Sequence, residues 1–201
     1  MTPPRQDQKE ATRARILEVA KLHFERDGFE AASVRAIALE ANVAAGTVLL
    51  HFTDKLSLLH TTLHDDLEAA ITRSLGVPSQ GTLLERLCEV ARPFYAYYAE
   101  RPRLSKVLLR ESLLAEPPWQ ERFAEQARRV LARVARLAEE AKQSGELPGV
   151  TDAQLLAVAF ASFYYFALIG WVQGGVTDPM PLLERLLGQH LVGLASVSTR
   201  G

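Results

Sequence analysis

Residues 28–59 read GFEAASVRAIALEANVAAGTVLLHFTDKLSLL, and this stretch predicts two short helices that meet at a tight turn. Ser33 is placed to cap the first helix with its hydroxyl group. Asn42 falls in the turn, where the backbone must be left-handed, and asparagine tolerates that conformation best after glycine. The pattern is that of a helix-turn-helix motif, although any helical hairpin would share its spacing. The apolar side chains predicted to face inward are Val34, Ile37, Ala38, Ala41, Val43, Val48 and Phe52.

Apolar residues recur at helical intervals through the rest of the chain, and no stretch alternates as a β-strand does. We therefore predict an all-α fold of about nine helices, of which the first three form a separate N-terminal group. The predicted ranges are 8–27, 33–40, 44–50, 54–75, 82–99, 103–115, 118–143, 152–173 and 179–195.

The composition restricts the kinds of partner. The 201 residues include 23 basic and 24 acidic side chains, so overall charge does not draw the chain toward nucleic acid or an anionic membrane. Any contact with DNA must rest on a local patch. Cys88 is the single cysteine, which excludes an intrachain disulfide and favours a reducing compartment. The polar N-terminus is unlike a signal peptide, and a cytoplasmic location is expected.

One segment could be interpreted in two ways. Residues 155–172 are uncharged and mostly apolar, which is close to the shortest length that spans a membrane. Their flanks, Gln154 and Gln173, lack the basic residues that often anchor such a span. A helix that is apolar on all sides also fits inside a helical bundle, and both interpretations stay open here.

Residues 10–60 resemble the DNA-binding domain of the tetracycline-repressor (TetR) family, with many positions agreeing in order and spacing. The resemblance implies an N-terminal helix-turn-helix DNA-binding domain over 1–53 and a helical ligand-binding and dimerisation domain over 54–201. It also implies a homodimeric transcriptional repressor that binds a palindromic operator in double-stranded DNA and is released by a small effector. The matching residues are Gly28, Phe29, Ser33, Ile37, Ala38, Gly46, Thr47, His51, Phe52 and Lys55.

Three positions depart from the family pattern. Asn42 stands where the turn usually has glycine, and Ala44 stands where the recognition helix usually begins with a polar residue. An alanine at this position loses about 1 kcal/mol of helix stability. Leu49 replaces the usual tyrosine and cannot donate a hydrogen bond to the DNA backbone.

The recognition segment therefore has few groups that could read bases. Arg35 is expected to be the main polar base reader, with guanine as its natural partner. The apolar side chains of Ala45, Leu49 and Leu50 could contact thymine methyl groups. The residues predicted to contact DNA are Ser33, Arg35, Ala45, Gly46, Thr47, Leu49, Leu50, His51 and Lys55. Those predicted to hold phosphates are Ser33, Thr47, His51 and Lys55, with the N-terminal residues Arg5, Lys9 and Arg13.

A second class of function fits the same apolar segment. The chain could be a helical small-molecule-binding protein whose helix-turn-helix has weakened or lost DNA binding. Leu49 and Leu50 would then be exposed or packed on something else. A gel shift separates this alternative from the repressor.

A ligand site is implied by the family layout and is consistent with the aromatic residues of two later helices. Each aromatic residue could alone be ordinary core, but together they indicate an apolar cavity with phenol hydroxyls, suited to a small apolar or aromatic effector. The predicted ligand-binding residues are His64, Cys88, Phe94, Tyr95, Tyr98, Glu111, Trp119, Phe160, Phe163 and Tyr164.

Glu111 lies within an apolar stripe and needs a partner, because a buried unpaired carboxylate is costly. The candidates are Arg110, Arg92, a tyrosine hydroxyl or the ligand.

His60, His64 and Glu68 lie one turn apart, a spacing that could bind a metal, but solvated helix residues are the favoured interpretation. No cofactor or metal is predicted. No catalytic motif is found, so the chain is not expected to be an enzyme.

The last two helices are expected to form the dimer interface as a four-helix bundle. A line of small residues on the first would permit close approach, and leucines on the second would pack against their copies. The predicted interface residues are Ala153, Ala157, Ala161, Leu183, Leu187, His190, Leu191 and Leu194.

Overall fold

The computed structural model describes residues 5–76 and 80–197. Within these residues the chain forms nine α-helices and no strand, which confirms the predicted fold class. Each helix begins and ends within three residues of its predicted range. The helices are α1 Arg5–Asp27, α2 Val34–Glu40, α3 Ala45–His51, α4 Lys55–Leu75, α5 Leu83–Ala99, α6 Ser105–Leu114, α7 Trp119–Gln143, α8 Ala153–Val172 and α9 Pro179–Val197.

Side-chain caps fix where several helices begin. Ser33 Oγ accepts a hydrogen bond from the backbone N–H of Ala36 at 3.1 Å at the start of α2. Asp152 caps α8 in the same way. Ala44 precedes α3 and makes no side-chain cap bond, so the first backbone N–H groups of α3 have no partner from this position.

The turn between α2 and α3 has the predicted backbone. Asn42 has φ 52°, in the left-handed region, which confirms the role assigned to it. The axes of α2 and α3 are bent by 103° at this turn, within the range of DNA-binding helix-turn-helix motifs. Ile37 and Val48 lie at the centre of the small core that holds the two helices against α1.

Helix α4 connects this N-terminal group to the rest of the molecule. It packs against α1, α5 and α7, and a single hydrophobic core runs through the described residues from α1 to α9. An ion pair between Lys21 of α1 and Asp66 of α4, at 2.6 Å, joins the two parts. The predicted division at residue 54 falls just before α4 and stays a prediction.

Helix α8 is long and apolar enough to cross a membrane by length and composition, with a mean hydropathy of 2.0. In this fold it packs against α7 and α9, and 28% of the apolar stretch is buried within the chain. Much of α8 therefore remains available for contact with another surface.

Replacing Asn42 with alanine is expected to lower the free energy of unfolding by about 1 kcal/mol, because alanine enters the left-handed region less readily than asparagine. The Asn42→Gly variant should change it by less than about 0.5 kcal/mol, since glycine adopts this backbone freely. Urea unfolding followed by circular dichroism measures both. An equal loss in the two variants would show that the asparagine side chain matters rather than the backbone angle.

Candidate DNA-binding surface and ligand cavity

Helix α3 presents an apolar face to solvent. Val48 is buried, whereas Leu49 and Leu50 are 51% and 79% exposed. The helix therefore has the predicted orientation, and neither leucine belongs to the core. Ala45, Gly46 and Thr47 occupy the first turn of α3 and are half-buried or exposed.

The polar groups around α3 remain available. Arg35 is exposed, and no hydrogen bond or ion pair is found for its guanidinium group among the described residues. Ser33 uses an oxygen lone pair to cap α2, so its hydroxyl hydrogen can still donate to a phosphate.

A group of basic residues lies beside the end of α3. Burial, together with the charges of Lys9 and Arg13, lowers the pKa of His51, so its imidazole is neutral at physiological pH. The guanidinium of Arg13 lies over the Phe52 ring at 5.1 Å. Lys9 and Arg13 thus lie close enough to α3 to contribute positive charge there. The predicted phosphate contact of Arg5 lies outside the described side chains.

Lys55 has a different role from the one predicted. Its ammonium donates hydrogen bonds to the carbonyl oxygen of Phe29 at 2.8 Å and to those of Glu30 and Ala32 at 3.2 Å each. It also lies over the Phe29 ring at 4.5 Å. All three ammonium hydrogens are therefore used to hold the loop between α1 and α2, and none is left for a phosphate.

A cavity of about 140 Å³ lies among α4, α5, α6, α7 and α8. Four of the predicted ligand residues line it: Phe94, Tyr98, Phe160 and Tyr164. Ala161, which was predicted to lie at the dimer interface, lines it as well. The prediction missed the walls formed by α4, α6 and α7, which include Leu67, Ser112, Phe123, Gln126, Val130 and Tyr165.

The other predicted ligand residues do not line this cavity. Cys88 is buried elsewhere in the core, and burial raises the pKa of its thiol to about 11, which leaves it unreactive. Tyr95 donates its hydroxyl hydrogen to the carbonyl oxygen of Tyr164 at 3.1 Å, and so supports the wall from outside. The Phe163 ring lies 5.6 Å from the His190 ring. His64 and Trp119 pack against each other with their ring centres 6.0 Å apart.

Glu111 is paired inside the protein. Its two carboxylate oxygens accept hydrogen bonds from His60 Nε2 and Arg110 Nε, both at 2.8 Å. Burial raises the pKa of Glu111, but these two donors outweigh it and bring the pKa below its ordinary value. Arg110 was among the predicted partners. The expectation of a solvated His60 was wrong, because His60 is 5% exposed and its ring lies against those of Trp119 and Phe123 on α7.

Gln126 is a buried polar residue of the cavity wall. It is 4% exposed, and its Nε2 donates to the carbonyl oxygen of His64 at 3.0 Å and to Glu68 Oε1 at 2.9 Å. Arg129 holds both oxygens of Glu68 at 2.8 Å, and this pairing lowers the pKa of Glu68. Gln126 Oε1 is buried and has no hydrogen-bond partner among the described residues.

Half of the predicted dimer interface is buried within a single chain. Ala153, Ala157, Leu183 and Leu187 are each at most 5% exposed. They belong to the core between α8 and its neighbours, so they cannot meet a partner subunit, and this part of the prediction was wrong. His190, Leu191 and Leu194 are half-buried.

A different face of α8 is exposed. Leu155, Val158 and Phe166 are 65%, 54% and 65% exposed and lie on one side of the helix. Val192 of α9 is 70% exposed. Exposed apolar side chains of this size on two neighbouring helices mark an interaction surface.

Two family models match the chain. The one described as bacterial regulatory proteins of the tetR family matches residues 16–62. The one described as the tetracyclin repressor-like C-terminal domain matches residues 80–173.

The similar curated proteins match over about a third of the chain. The HTH-type transcriptional regulator UidR of Escherichia coli (strain K12) is 35% identical over 68 residues, which are 34% of this chain and 35% of UidR. An HTH-type transcriptional regulator of Staphylococcus aureus (strain USA300) is 40% identical over 68 residues, 34% of this chain and 36% of that protein. The matched segment thus spans about a third of the length of these relatives.

Solved structures match over nearly the whole chain. FadR from Bacillus subtilis, solved in complex with stearoyl-CoA, has a TM-score of 0.69 and 22% identity over 87% of this chain and 95% of its own. A TetR transcription regulator from Haloarcula marismortui ATCC 43049 has a TM-score of 0.74 and 16% identity, and the match covers 92% of this chain and 98% of its own. At these identities the likeness shows the fold alone.

Replacing Lys55 with methionine is expected to lower the free energy of unfolding by about 2 kcal/mol, because three loop carbonyls lose a charged donor. Lys106→Met is the matched control, since Lys106 is exposed on α6, and should change stability by less than about 0.5 kcal/mol. Urea unfolding of both variants measures the difference. Unchanged stability in Lys55→Met, together with weaker salt dependence of DNA binding, would return Lys55 to a phosphate contact.

Proposed function

The chain belongs to the TetR family of bacterial regulatory proteins, and we propose that it is a transcriptional repressor that releases its operator when a small apolar or aromatic effector binds. One observation carries the proposal: a helix-turn-helix with a solvent-exposed second helix is joined by α4 to an apolar cavity. The proposed site of action is the cytoplasm. No enzymatic activity is proposed, and the similar curated proteins are named as transcriptional regulators.

In the proposed complex α3 lies in the major groove of the operator. Arg35, near the start of α2, contacts the edge of a guanine base. The exposure of its guanidinium group, which has no partner among the described residues, supports this role. Ser33, Thr47, Lys9 and Arg13 hold phosphates on either side. His51 is placed to donate a hydrogen bond from its imidazole N–H to a phosphate.

The exposed leucines determine how α3 reads sequence. Leu49 and Leu50 have no polar atoms in their side chains, and both face solvent. The base feature that suits them is the 5-methyl group of thymine, which lies in the major groove. The proposed half-site therefore pairs a guanine near Arg35 with thymines under α3.

The effector proposed here is not taken from FadR. Stearoyl-CoA was bound to that protein, and the likeness to it extends to the fold alone. The support for an apolar or aromatic effector is the lining of the cavity by Phe94, Phe160 and Tyr164. The coupling to DNA is proposed to pass through α4.

A palindromic operator requires two copies of the chain with reading helices about 34–36 Å apart. We propose that the copies meet through the exposed faces of α8 and α9, which carry Leu155, Val158, Phe166 and Val192. This surface replaces the buried residues of the first prediction. In this arrangement the exposed apolar face of α8 packs against the second copy rather than against a membrane.

A helical small-molecule-binding protein without DNA binding remains the second candidate. The observation that favours it is the exposure of Leu49 and Leu50 together with the missing cap at Ala44. A gel shift with operator DNA distinguishes this candidate from the repressor.

The purified chain is expected to retard a DNA fragment that carries the promoter region beside its own gene. The Arg35→Ala variant should bind about 10- to 100-fold more weakly and with less sequence preference, because one bidentate base contact is worth about 1–3 kcal/mol. A gel shift at low salt measures both. A folded wild-type dimer that shifts no fragment would overturn the repressor and leave the second candidate.

Uracil-substituted operator isolates the contribution of the leucines. Uracil lacks only the 5-methyl group, so replacing thymine under α3 should weaken wild-type binding while the shape of the groove is kept. The Leu49→Ala/Leu50→Ala double variant should show the same affinity for both fragments. Equal wild-type affinity for both would exclude thymine-methyl readout.

A charge placed on the proposed dimer face should separate the subunits. Val158→Glu is expected to give monomers by light scattering and to abolish operator binding, because the carboxylate would be buried against an apolar partner. Val150→Glu makes the same substitution at a position 85% exposed in the loop before α8, and should stay dimeric. A Val158→Glu variant that stays dimeric would move the interface elsewhere.

A further inference from the structure

Two polar side chains of the cavity wall, Ser112 and Tyr98, already donate their hydroxyl hydrogens within the protein. Ser112 donates its hydroxyl hydrogen to the carbonyl oxygen of Leu109 at 3.1 Å. Because serine has one such hydrogen, Tyr98 must be the donor in its 3.2 Å contact with Ser112 Oγ. The Tyr98–Ser112 pair therefore presents only acceptor lone pairs to the cavity.

Gln126 has an unsatisfied acceptor within the cavity wall. Its Nε2 faces two acceptors, the carbonyl oxygen of His64 and Glu68 Oε1, so the amide orientation is fixed by its partners. The oxygen is then the unpaired atom of a side chain that is 4% exposed and contributes to the cavity wall. A buried amide oxygen without a donor is costly, and this cost falls when a bound molecule brings a donor within hydrogen-bond distance of it.

The charge of the lining restricts the ligand further. Among the described residues that line the cavity, none has a formally charged side chain. Burial raises the pKa of Tyr164 and Tyr165, so their hydroxyls are neutral and can donate as well as accept a hydrogen bond. A carboxylate or phosphate would enter this cavity without a cation to balance its charge.

We propose that the effector is an uncharged molecule with an aromatic or aliphatic body and a hydroxyl or N–H group that donates a hydrogen bond to Gln126 Oε1. The Tyr98–Ser112 pair provides a second acceptor in the lining of the same cavity. This inference rests on the proposed function in treating the cavity as the effector site. It goes further by naming the polar group that the effector carries.

The test uses four probes that share one ring system: 1-naphthol, naphthalene, 1-methoxynaphthalene and 1-naphthoate. Naphthalene and the methyl ether both lack a donor, and one is smaller and the other larger than naphthol, so size and hydrogen bonding are separated. Calorimetric titration of the full chain without DNA should give naphthol about tenfold tighter binding than either neutral analogue. Naphthoate should bind more weakly than naphthol.

Two variants assign the preference to one atom. Gln126→Met keeps the length of the side chain but removes the acceptor, so the preference for naphthol over naphthalene should fall to about one. Gln120→Met, at an exposed position earlier on α7, should leave the preference unchanged. Circular dichroism shows whether both variants fold. If Gln126→Met does not fold, the relative affinities of the wild-type chain for the four probes still test the proposal.

The outcomes separate this inference from the proposed function. Equal binding of naphthol and naphthalene, tightest binding of naphthoate, or no binding of any probe would overturn the donor-bearing effector. Each of these results is independent of the operator gel shift. Loss of operator binding with a retained naphthol preference would overturn the repressor and keep the ligand class.

Discussion

Six consecutive residues of α4, Leu58 to Leu63, are buried, and the rest of the fold depends on how this segment is covered. A helix buried on every side must find partners for its polar side chains as well as its apolar ones. His60 Nε2 lies 2.8 Å from a carboxylate oxygen of Glu111 on α6. The hydroxyls of Thr61 and Thr62 donate hydrogen bonds to backbone carbonyl oxygens of α4. The helix-turn-helix and the ligand cavity are thus assembled on two sides of one element.

The balance of charge in the chain fits this arrangement. Basic and acidic residues are nearly equal in number, and many meet in pairs such as Lys21–Asp66 and Arg129–Glu68. What remains for DNA is local: Arg35, with Lys9 and Arg13 beside the end of α3. Because long-range attraction is small, shape and apolar contact carry more of the proposed recognition than in a strongly basic protein.

Local signals in the sequence predicted what depends on local geometry. The cap at Ser33, the left-handed turn at Asn42 and the inward position of Val48 follow from near neighbours in the chain, and all three agree with the structure. Lys55 could not be placed in this way, because its partners lie more than twenty residues earlier and are backbone atoms that carry no side-chain signature.

The predicted dimer interface failed for a different reason. Helix α8 is apolar on nearly every face, so the spacing of its residues does not distinguish the side that meets α7 and α9 from the side that meets solvent. Small residues such as Ala157 were placed on the wrong side. Gln126 was missed because a glutamine in a charged helix looks solvated until its partners on α4 are known.

The bonds from Gln126 to α4 have a mechanical consequence. Nine residues separate His64 from Lys55, which corresponds to about 14 Å of helix axis. A tilt of α4 by about 5° around its His64 end would therefore carry Lys55, and the loop it holds, through about 1 Å by the same helix geometry. In the proposed two-fold pair, the helix-turn-helix units of the two copies would move by this distance in opposite directions. The spacing between the two units would then change by twice the displacement of either one. If α4 couples the two sites as proposed, the gain or loss of one hydrogen bond at Gln126 would shift the two helix-turn-helix units out of register with the turns of the DNA.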